Sequence, residues 1–441
     1  MTDPFDQHPF HPASIPDYLP RAQLRRLQLQ RLQSVVRQAY DHVDLVRERM
    51  NAAGVRPEKI HDLADLARLP FTEKNDLRDT YPFGLFARPM SDIVRLHASS
   101  GTTGKPIVVA YTREDLDVWT SVMVRTFVAC GLDRGDVLQN AFGYGLFTGG
   151  LGVHYGAEGL GATVIPISGG GTDRQITVMN DFRVSGICAT PSYFVHLLER
   201  AAELGVDVKE LPIRVGVFGA EPWSESMRAH IEREADIRAY DIYGLSEIIG
   251  PGVGSECAAQ EGLHIFEDRF YPEIVDPDSG EVLPEGEEGE LVLTTLSKQA
   301  MPILRYRTHD ITRLIPDECA CGRTVRRIER IRRRSDDMLI VRGVNVFPSQ
   351  IEEVLLRDEA TMPHYRIVLT RERGLDRLEV QVEVTPEAMS DTVRAMEALQ
   401  SRLAREIESV LNIGVAVRFV EPGTIERSMG KARRVIDKRA E

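Results

Sequence analysis

One short polar stretch, residues 99–106, constrains what this chain can fold into more than any other. It reads Ser-Ser-Gly-Thr-Thr-Gly-Lys-Pro. Backbone N–H groups, hydroxyl donors and an ammonium within one loop suit a polyphosphate. The apolar residues 107–109 follow directly and predict a strand that anchors the loop on one side. The candidate phosphate ligands are Ser99, Ser100, Gly101, Thr102, Thr103, Gly104 and Lys105.

Two other interpretations of this stretch have to be weighed. A Walker A loop has four residues between its glycines and Ser or Thr after its lysine. Here two residues separate the glycines and Pro106 follows the lysine, which argues against a P-loop nucleotide hydrolase. The other interpretation, a polar surface turn, stays open on this stretch alone because Ser, Thr and Gly cluster in many loops.

Length and composition exclude several classes of protein. The 441 residues, 42% of them hydrophobic, can bury a large core and predict more than one domain. Lys and Arg number 54 against 67 Asp and Glu, and this balance disfavours nucleic acid or an anionic membrane as the main partner. The basic run 326–334 has isoleucines on one side, and we interpret it as a solvated linker or strand. Residues 1–20 do not resemble a signal peptide, so we expect a cytoplasmic protein.

Strand-like and helical segments alternate after the polar loop. Strands are predicted at 137–141, 162–167, 186–189 and 214–218, and helices at 112–129, 192–204 and 223–232. This alternation predicts an α/β domain with largely parallel sheets. Before the loop, residues 21–50 predict one amphipathic helix.

The last hundred or so residues predict a second, smaller α+β domain. Ser349 to Glu352 has the form of a capping box, which predicts a helix directly after Pro348. Alternation over 378–384 predicts a half-solvated strand, followed by a helix at 391–411 and a strand at 415–420. We therefore divide the chain into an N-terminal domain, 1–335, and a C-terminal domain, 336–441.

Two short motifs in the α/β region carry groups that suit a nucleotide. Residues 216–223 read Gly-Val-Phe-Gly-Ala-Glu-Pro-Trp, a strand that ends in a turn, and residues 241–247 read Asp-Ile-Tyr-Gly-Leu-Ser-Glu. Ligands of α/β proteins bind at the carboxyl ends of strands. Tyr243 can stack on adenine, Asp241 can accept from its amino group and Glu247 can hold Mg²⁺.

A glycine-rich segment, residues 143–152, lies between these regions. Its glycines let the backbone approach a ligand, while Tyr144 and Phe147 offer flat apolar faces. The segment therefore predicts either the wall of a pocket for an aromatic substrate or a helix start whose aromatic residues pack into the core.

Four residues form a candidate metal site: Cys257, His264, Cys319 and Cys321. Three thiolates and one imidazole complete a tetrahedral set for structural zinc and leave no open position for catalysis. Two alternatives are free thiols and a histidine that is an ordinary polar residue. Cys130 and Cys188 lie in apolar runs and are interpreted as core.

The order and wording of the motifs resemble the acyl-adenylate-forming superfamily, which includes acyl-CoA ligases, luciferases and peptide-synthetase adenylation domains. Within it, the phenylacetate-CoA ligases are the most similar, over nearly the whole chain from about Arg21. The matching segments are 97–106, 218–222, 241–247, 305–310, 334–348 and 428–431. His309 stands where the family has a glycine.

The resemblance implies a fold and a set of site residues. The fold is α/β, with a large N-terminal domain of mixed and parallel sheets that binds ATP and the acid, and a small mobile C-terminal domain. In the family the aspartate at Asp310 holds the ribose hydroxyls, Asp336 is the hinge, and Lys431 swings in for adenylation. Gly219, Ala220, Glu221, Pro222, Gly244 and Ser246 complete the implied ATP site, and Arg342 and Gly343 the implied coenzyme A site.

The resemblance also implies an activity. This is the ligation of phenylacetate to coenzyme A through an acyl-adenylate, with ATP and Mg²⁺, by a homodimer. The same fold leaves open another aryl acid, such as a benzoate-like acid or indoleacetate, or adenylyl transfer to another acceptor. A binding protein that retains the fold is disfavoured because Lys105, Glu247, Asp310 and Lys431 are all present.

Overall fold

The computed structural model describes residues 10–99, 106–331, 333–334, 339–342, 344–372, 375–389, 392–427, 432 and 434–439. Over these residues the helices are α1 (Arg21–His42), α2 (Asp44–Ala52), α3 (Lys74–Asp79), α4 (Arg113–Ala129), α5 (Thr148–Leu160), α6 (Thr172–Asp181), α7 (Pro191–Glu203), α8 (Glu225–Ala235), α9 (Pro348–Leu355), α10 (Pro386–Met389) and α11 (Val393–Leu411). Short 3₁₀ helices connect several of them.

The strands of the N-terminal part of the described chain are β1 (Arg95–Ser99), β2 (Ile107–Tyr111), β3 (Val137–Asn140), β4 (Thr163–Ile165), β5 (Gly186–Ala189), β6 (Val215–Phe218), β7 (Arg238–Leu245), β8 (Gly250–Ser255), β9 (Leu263–Ile265), β10 (Phe270–Val275), β11 (Gly289–Thr295), β12 (Tyr306–Thr312), β13 (Leu314–Ile315), β14 (Arg327–Ile328) and β15 (Arg333–Arg334). Those of the C-terminal part are β16 (Leu339–Val341), β17 (Val344–Val346), β18 (Thr361–Glu372), β19 (Leu375–Val384), β20 (Ala416–Val420) and β21 (Val435–Asp437).

The largest sheet has the strand order β13-β14-β9-β8-β7-β6-β5-β3-β4. Strands β3 to β7 pair in parallel, and β7, β8, β9, β14 and β13 pair antiparallel. Every residue of β5 and β6 is buried. Such short, wholly apolar strands are typical of a parallel sheet covered on both faces, here by the crossover helices α5 to α8. The parallel part brings the carboxyl ends of its strands to one edge.

A second sheet, β10-β11-β12-β15, and the β1–β2 hairpin flank the large sheet. The hairpin strands pair antiparallel with Ser99 opposite Ile107. The segment that joins them, residues 100–105, lies outside the described residues.

The C-terminal part has its own sheet, β20-β19-β18-β21, packed on α9 and α11. Its buried apolar residues form a core separate from that of the large sheet. Among the described residues, none of the helices has the length and apolar character that a bilayer span requires.

The predicted fold class is confirmed, and most predicted elements lie within a few residues of the observed ones. Two predictions about helices are wrong. The helix predicted over 21–50 is two helices, because the backbone at Val43 is extended and its side chain is buried. The helix after Pro348 is capped at Phe347, whose N–H donates to the Gln350 side chain at 3.1 Å, rather than at Ser349.

Candidate active site

The turn after β6 and the end of β7 lie side by side at the edge of the large sheet. Phe218, the last residue of β6, pairs with Asp241 in the parallel ladder. The next residue, Gly219, packs so closely on β7 that a Cβ there would lie 2.7 Å from the Ile242 carbonyl oxygen. Only glycine fits such an approach, and Ala220 continues the turn with a φ of +72°. The two predicted nucleotide motifs therefore share one edge.

Asp310 on β12 faces this edge from the second sheet and is held by two partners. Its Oδ2 accepts from the Tyr243 hydroxyl at 2.5 Å, and its Oδ1 accepts from Nη1 of Arg334 at 2.8 Å. Burial and the nearby Asp310 charge raise the pKa of Tyr243 well above its usual value, so it stays a donor. His309, which stands where the family has a glycine, takes a φ of +63°, the left-handed conformation that glycine favours. The histidine therefore adopts a backbone conformation that suits a glycine. The structure thus brings Tyr243 and Asp310 together.

Glu247 lies just after β7 and is buried, with two partners from later in the chain. The Tyr306 hydroxyl donates to its Oε1 at 3.2 Å. The ammonium of Lys298 donates to its backbone oxygen at 3.3 Å and lies 4.9 Å from the centre of the Tyr111 ring. Burial lowers the pKa of Lys298 to about 8, against the charges of Asp115 and Glu247, which raise it. Sequence reasoning missed Lys298, because a single lysine after an apolar strand gives no signal.

Asp241, predicted near adenine, is already paired in the structure. Its Oδ2 accepts from Nε of Arg330 at 3.1 Å, and its N–H donates to Glu256 at 2.7 Å. Arg330 also stacks on Trp223, with its guanidinium carbon 4.3 Å from the ring centre. One side of the Asp241 carboxylate is thus occupied by a guanidinium.

The run 326–334, predicted as a solvated linker or strand, contains strands β14 and β15 but is not solvated. Arg326 binds Glu267 at 2.7 Å, and Arg334 binds Asp310. Arg327 and Arg330 are buried. Acidic residues distant in sequence neutralise these arginines, and the periodicity of the run could not show which acids face it.

Two predicted residues of the nucleotide motif at the end of β7 lie against neighbouring elements, Gly244 against β8 and Ser246 against α5. A Cβ at Gly244 would lie 2.1 Å from the Gly250 carbonyl oxygen, so the backbone passes very close to β8. The Ser246 hydroxyl lies 3.0 Å from that of Thr148, the first residue of α5. The start of α5 and the end of β7 are therefore in contact.

The glycine-rich segment 143–152 follows β3, and its second half, 148–152, is the start of α5. The Tyr144 hydroxyl accepts from the Asn140 side chain at 2.8 Å, and burial raises the pKa of Tyr144 to about 12. Phe147 directly precedes α5 and is 45% exposed. The Leu146 carbonyl accepts from the N–H of Ala98 on β1 at 2.9 Å. This contact places the segment beside β1, the strand before the predicted phosphate loop.

The small domain contacts the turn after β6 through Glu221. Oε1 of Glu221 accepts from the N–H of Ser192, near the start of α7, over 2.8 Å. Oε2 of Glu221 accepts from the N–H of Ala432 in the small domain over 2.9 Å. Pro222 completes this turn. Ala432 follows Lys431 in the chain, so the residue next to the predicted catalytic lysine lies against a predicted nucleotide motif.

Several predicted site residues lie outside the described part of the chain. These are Ser100, Gly101, Thr102, Thr103, Gly104, Lys105, Asp336, Gly343 and Lys431. Ser99 is the last residue of β1. Arg342 is exposed, has a φ of +51° and donates to the Gly414 carbonyl.

The four predicted metal ligands lie together, between the end of β8, β9 and the segment from β13 to β14. Their ligand atoms all lie within 4.8 Å of one another. The Sγ atoms of Cys257 and Cys319 are 3.6 Å apart, and Sγ of Cys321 is 3.3 Å from Nε2 of His264. Tetrahedral zinc with Zn–S bonds of about 2.3 Å separates its ligands by similar distances. Nδ1 of His264 lies 3.4 Å from the Val325 carbonyl, which leaves Nε2 to face the thiols. The donor set therefore fits zinc, and Cys130 and Cys188 are buried apart from it.

Two family descriptions match the chain. An AMP-binding enzyme description matches residues 24–298, and an AMP-binding enzyme C-terminal domain description matches residues 343–439. A phenylacetate-coenzyme A ligase of Aromatoleum evansii is 50% identical over 439 residues, which cover 99% of this chain and 98% of that protein. A phenylacetate-coenzyme A ligase of Escherichia coli K12 is 50% identical over 419 residues, with 95% of each chain covered.

A solved enzyme, 2-hydroxyisobutyryl-CoA ligase, is similar in structure in two of its states. In its postadenylation state with R3-HIB-AMP it matches with a TM-score of 0.92 at 29% identity, covering 99% of this chain and 95% of that one. In its thioesterification state with 2-HIB-AMP and CoA the TM-score is 0.72 at 30% identity, covering 98% and 95%. The chain therefore belongs to the AMP-binding enzymes, and within them to the phenylacetate-coenzyme A ligase family.

Proposed function

We propose that this protein ligates phenylacetate to coenzyme A through an acyl-adenylate and releases AMP and pyrophosphate. The observation that carries the proposal is the 50% identity to phenylacetate-coenzyme A ligases over nearly the full chain. Supporting it, the described site gathers Tyr243, Glu247 and Asp310 at one edge of the large sheet.

The chemistry explains why such a site needs several charged groups. A carboxylate is a poor acyl donor, because its leaving group would be oxide. In the first half-reaction the acid oxygen attacks the α-phosphorus of ATP and pyrophosphate leaves. In the second, the thiol of coenzyme A attacks the acyl carbon, loses its proton and displaces AMP. Both transition states carry charge, so positioning and electrostatic stabilisation are the main tasks of the protein.

We assign roles to the residues from this chemistry. Asp310, anchored by Tyr243 and Arg334, would accept from the two ribose hydroxyls, because its two carboxylate oxygens suit a pair of O–H donors. Thr102, Thr103 and Lys105 would hold the β- and γ-phosphates. Glu247 would hold the Mg²⁺ that neutralises phosphate charge.

The catalytic lysine of the proposal is Lys431, which would bridge the substrate carboxylate and the α-phosphate. An ammonium is a compact charge that can neutralise both groups at once. The contact of Ala432 with Glu221 supports this role, because Ala432 is the residue after Lys431 and Glu221 belongs to the predicted nucleotide-binding turn after β6.

We propose that the small domain changes its position between the half-reactions by rotating about Asp336, so that the Gly343 region meets coenzyme A. The present arrangement matches the postadenylation state of 2-hydroxyisobutyryl-CoA ligase better than its thioesterification state, with TM-scores of 0.92 and 0.72. This difference supports two arrangements of the same two domains, and we assign this chain to the first of them.

We also propose that the Cys257, His264, Cys319 and Cys321 cluster binds a structural zinc ion. The convergence of three thiols and an imidazole within 4.8 Å supports it. With four protein ligands the ion would hold the segment between β13 and β14 against β9 and take no part in the reaction. The homodimer stays a prediction, which light scattering on the purified protein tests.

Pyrophosphate exchange tests the proposed activity directly. Phenylacetate should support exchange of labelled pyrophosphate into ATP, and coenzyme A should then be consumed with AMP release. Benzoate and indoleacetate serve as comparison acids. Faster exchange with either of them would replace phenylacetate as the substrate, and no exchange with any aryl acid would favour a nucleotide-binding protein without this activity.

A further inference from the structure

Glu199, near the end of α7 in the large domain, contacts two residues of the small domain. Its Oε1 lies 2.6 Å from Nε2 of His364 on β18, and its Oε2 lies 3.3 Å from Nε of Arg427. None of the sequence motifs includes these three residues, which we call the Glu199 cluster. The cluster joins the two domains through a carboxylate that is 22% exposed in the side chain.

Arg427 is oriented for this contact by its own domain. Its Nη1 and Nη2 donate to the two carboxylate oxygens of Glu383 on β19 at 2.8 and 2.7 Å. The guanidinium is therefore fixed by a bidentate pair within the small domain, and its remaining Nε faces Glu199. A planar guanidinium held this way loses little conformational freedom when it meets a second carboxylate.

The environment keeps Glu199 ionised. Burial raises its pKa, but the nearby His196, the hydrogen bond with His364 and the charge of Arg427 outweigh burial and lower the pKa to about 2. The contact is therefore between an anion and a permanent cation, with His364 as a further donor. Charge-assisted hydrogen bonds of this kind are among the strong ones.

The cluster lies beside an open cleft between the two domains. A cleft of about 900 Å³ opens between α7, α8 and the small domain, lined by residues that include Val195, Leu198, His230, Arg233, Leu356 and Thr361. Domains that meet across such an open interface are expected to move relative to each other. The polar contacts of Glu199 belong to a set that holds the domains in this arrangement, with Ala432 donating to Glu221 and Ser224 donating to Glu352.

We propose that Glu199 is a positioning residue that, with His364 and Arg427, holds the small domain in the arrangement for adenylation. This inference rests on the proposed function. Because Glu199 belongs to one domain and its two partners to the other, a rotation of the small domain separates them. The cluster therefore favours the first half-reaction and has to be broken before the second.

The test compares the two half-reactions in Glu199→Gln. Pyrophosphate exchange with phenylacetate should fall about tenfold, since one charge-assisted contact shifts the balance of arrangements by about that factor. Transfer of the acyl group from supplied phenylacetyl-adenylate to coenzyme A should be unchanged or faster. Equal loss in both half-reactions, or no change in either, would overturn the proposal.

Glu203→Gln is the matched control, because Glu203 lies on the same helix and pairs with Arg200 of that helix instead of the small domain. It should leave both half-reactions unchanged. Small-angle scattering provides a readout that does not depend on activity. Glu199→Gln should enlarge the radius of gyration of the ligand-free protein while Glu203→Gln should not, and identical profiles would count against the inference. Should the unaltered protein show no exchange, the proposed function fails and scattering alone decides about the cluster.

Discussion

Lys298 is a buried ammonium beside Glu247, and it shows how single charged residues shape this site. Burial lowers its pKa from 10.5 to about 8, so the folded chain binds the proton less tightly than the unfolded chain. The resulting cost to stability is fully present below pH 8 and disappears as the pH rises to 10.5. A charge kept in place at such a cost points to a role in the site rather than in folding.

We expect Lys298→Met to raise the free energy of unfolding at neutral pH by up to about 3 kcal/mol. The gain should shrink as the pH approaches 10.5, where the unfolded lysine also loses its charge. Urea unfolding at neutral pH and near that upper value measures both effects. A variant that is less stable than the unaltered protein to the same extent at both pH values would contradict this expectation.

Asp310 accepts hydrogen bonds from Tyr243 and Arg334 in the candidate nucleotide site, and its substitution tests that site. Asp310→Asn keeps the shape but removes the charge that both partners bind. We expect the KM for ATP to rise at least about tenfold, because a hydrogen bond to a charged group is worth about 1.5–3 kcal/mol. Pyrophosphate exchange against ATP concentration measures it.

Asp276→Asn is the control for this experiment, since Asp276 lies in an exposed turn after β10, where its side chain accepts from the N–H of Ser279. It should leave the KM for ATP unchanged. If Asp310→Asn also leaves it unchanged, the carboxylate does not contact the nucleotide.

At the scale of elements, the cysteine and histidine cluster joins short strands that pair with each other over only a few residues. Strands β13 and β14 pair over two residues each, and β14 pairs with β9 over two. Cys319 and Cys321 lie in the segment between β13 and β14, while Cys257 and His264 belong to the β8 and β9 region. A metal ion would therefore fix this corner of the large sheet.

We expect the protein purified without chelator to contain one zinc per chain, and Cys321→Ser to lose it. Because Cys321 would supply a thiolate ligand, its loss should also lower the melting temperature by several degrees. Elemental analysis and calorimetry measure the two effects. Cys188→Ser changes a buried thiol of β5 outside the cluster and should retain the zinc. Well under one zinc per chain in the unaltered protein would refute the site.

At the scale of the whole molecule, the proposed reaction depends on two domains that meet in more than one way. We expect Lys431→Ala to largely abolish adenylate formation while the variant still passes a supplied acyl-adenylate to coenzyme A. The reason is that the lysine would act only while the small domain is in the adenylation arrangement. Separate assays of the two half-reactions measure this.

Lys438→Ala is the control, because Lys438 belongs to the same tail and its backbone N–H bonds to Leu369 within the small domain. It should affect neither half-reaction. Equal loss of both half-reactions in Lys431→Ala would mean that the lysine serves folding or binding in general rather than the first step.

Sequence alone predicted the architecture because its signals are local. Apolar runs predicted β5 and β6, and the helix predicted over 112–129 is α4, which the structure caps at Thr112. The prediction of one helix over 21–50 failed since the break at Val43 comes from burial of that side chain and not from a glycine or proline.

The sequence by itself determined the alternating elements of the α/β core, the family and the residue types of the candidate nucleotide site, since motifs and periodicity are properties of neighbours in the chain. Only the tertiary structure decided which charges face each other. Arg330 meets Asp241 from 89 positions away, and His364 meets Glu199 from 165. No local pattern marks such pairs, because many acids along the chain are equivalent until folding brings one of them within hydrogen-bond distance and removes the water around it.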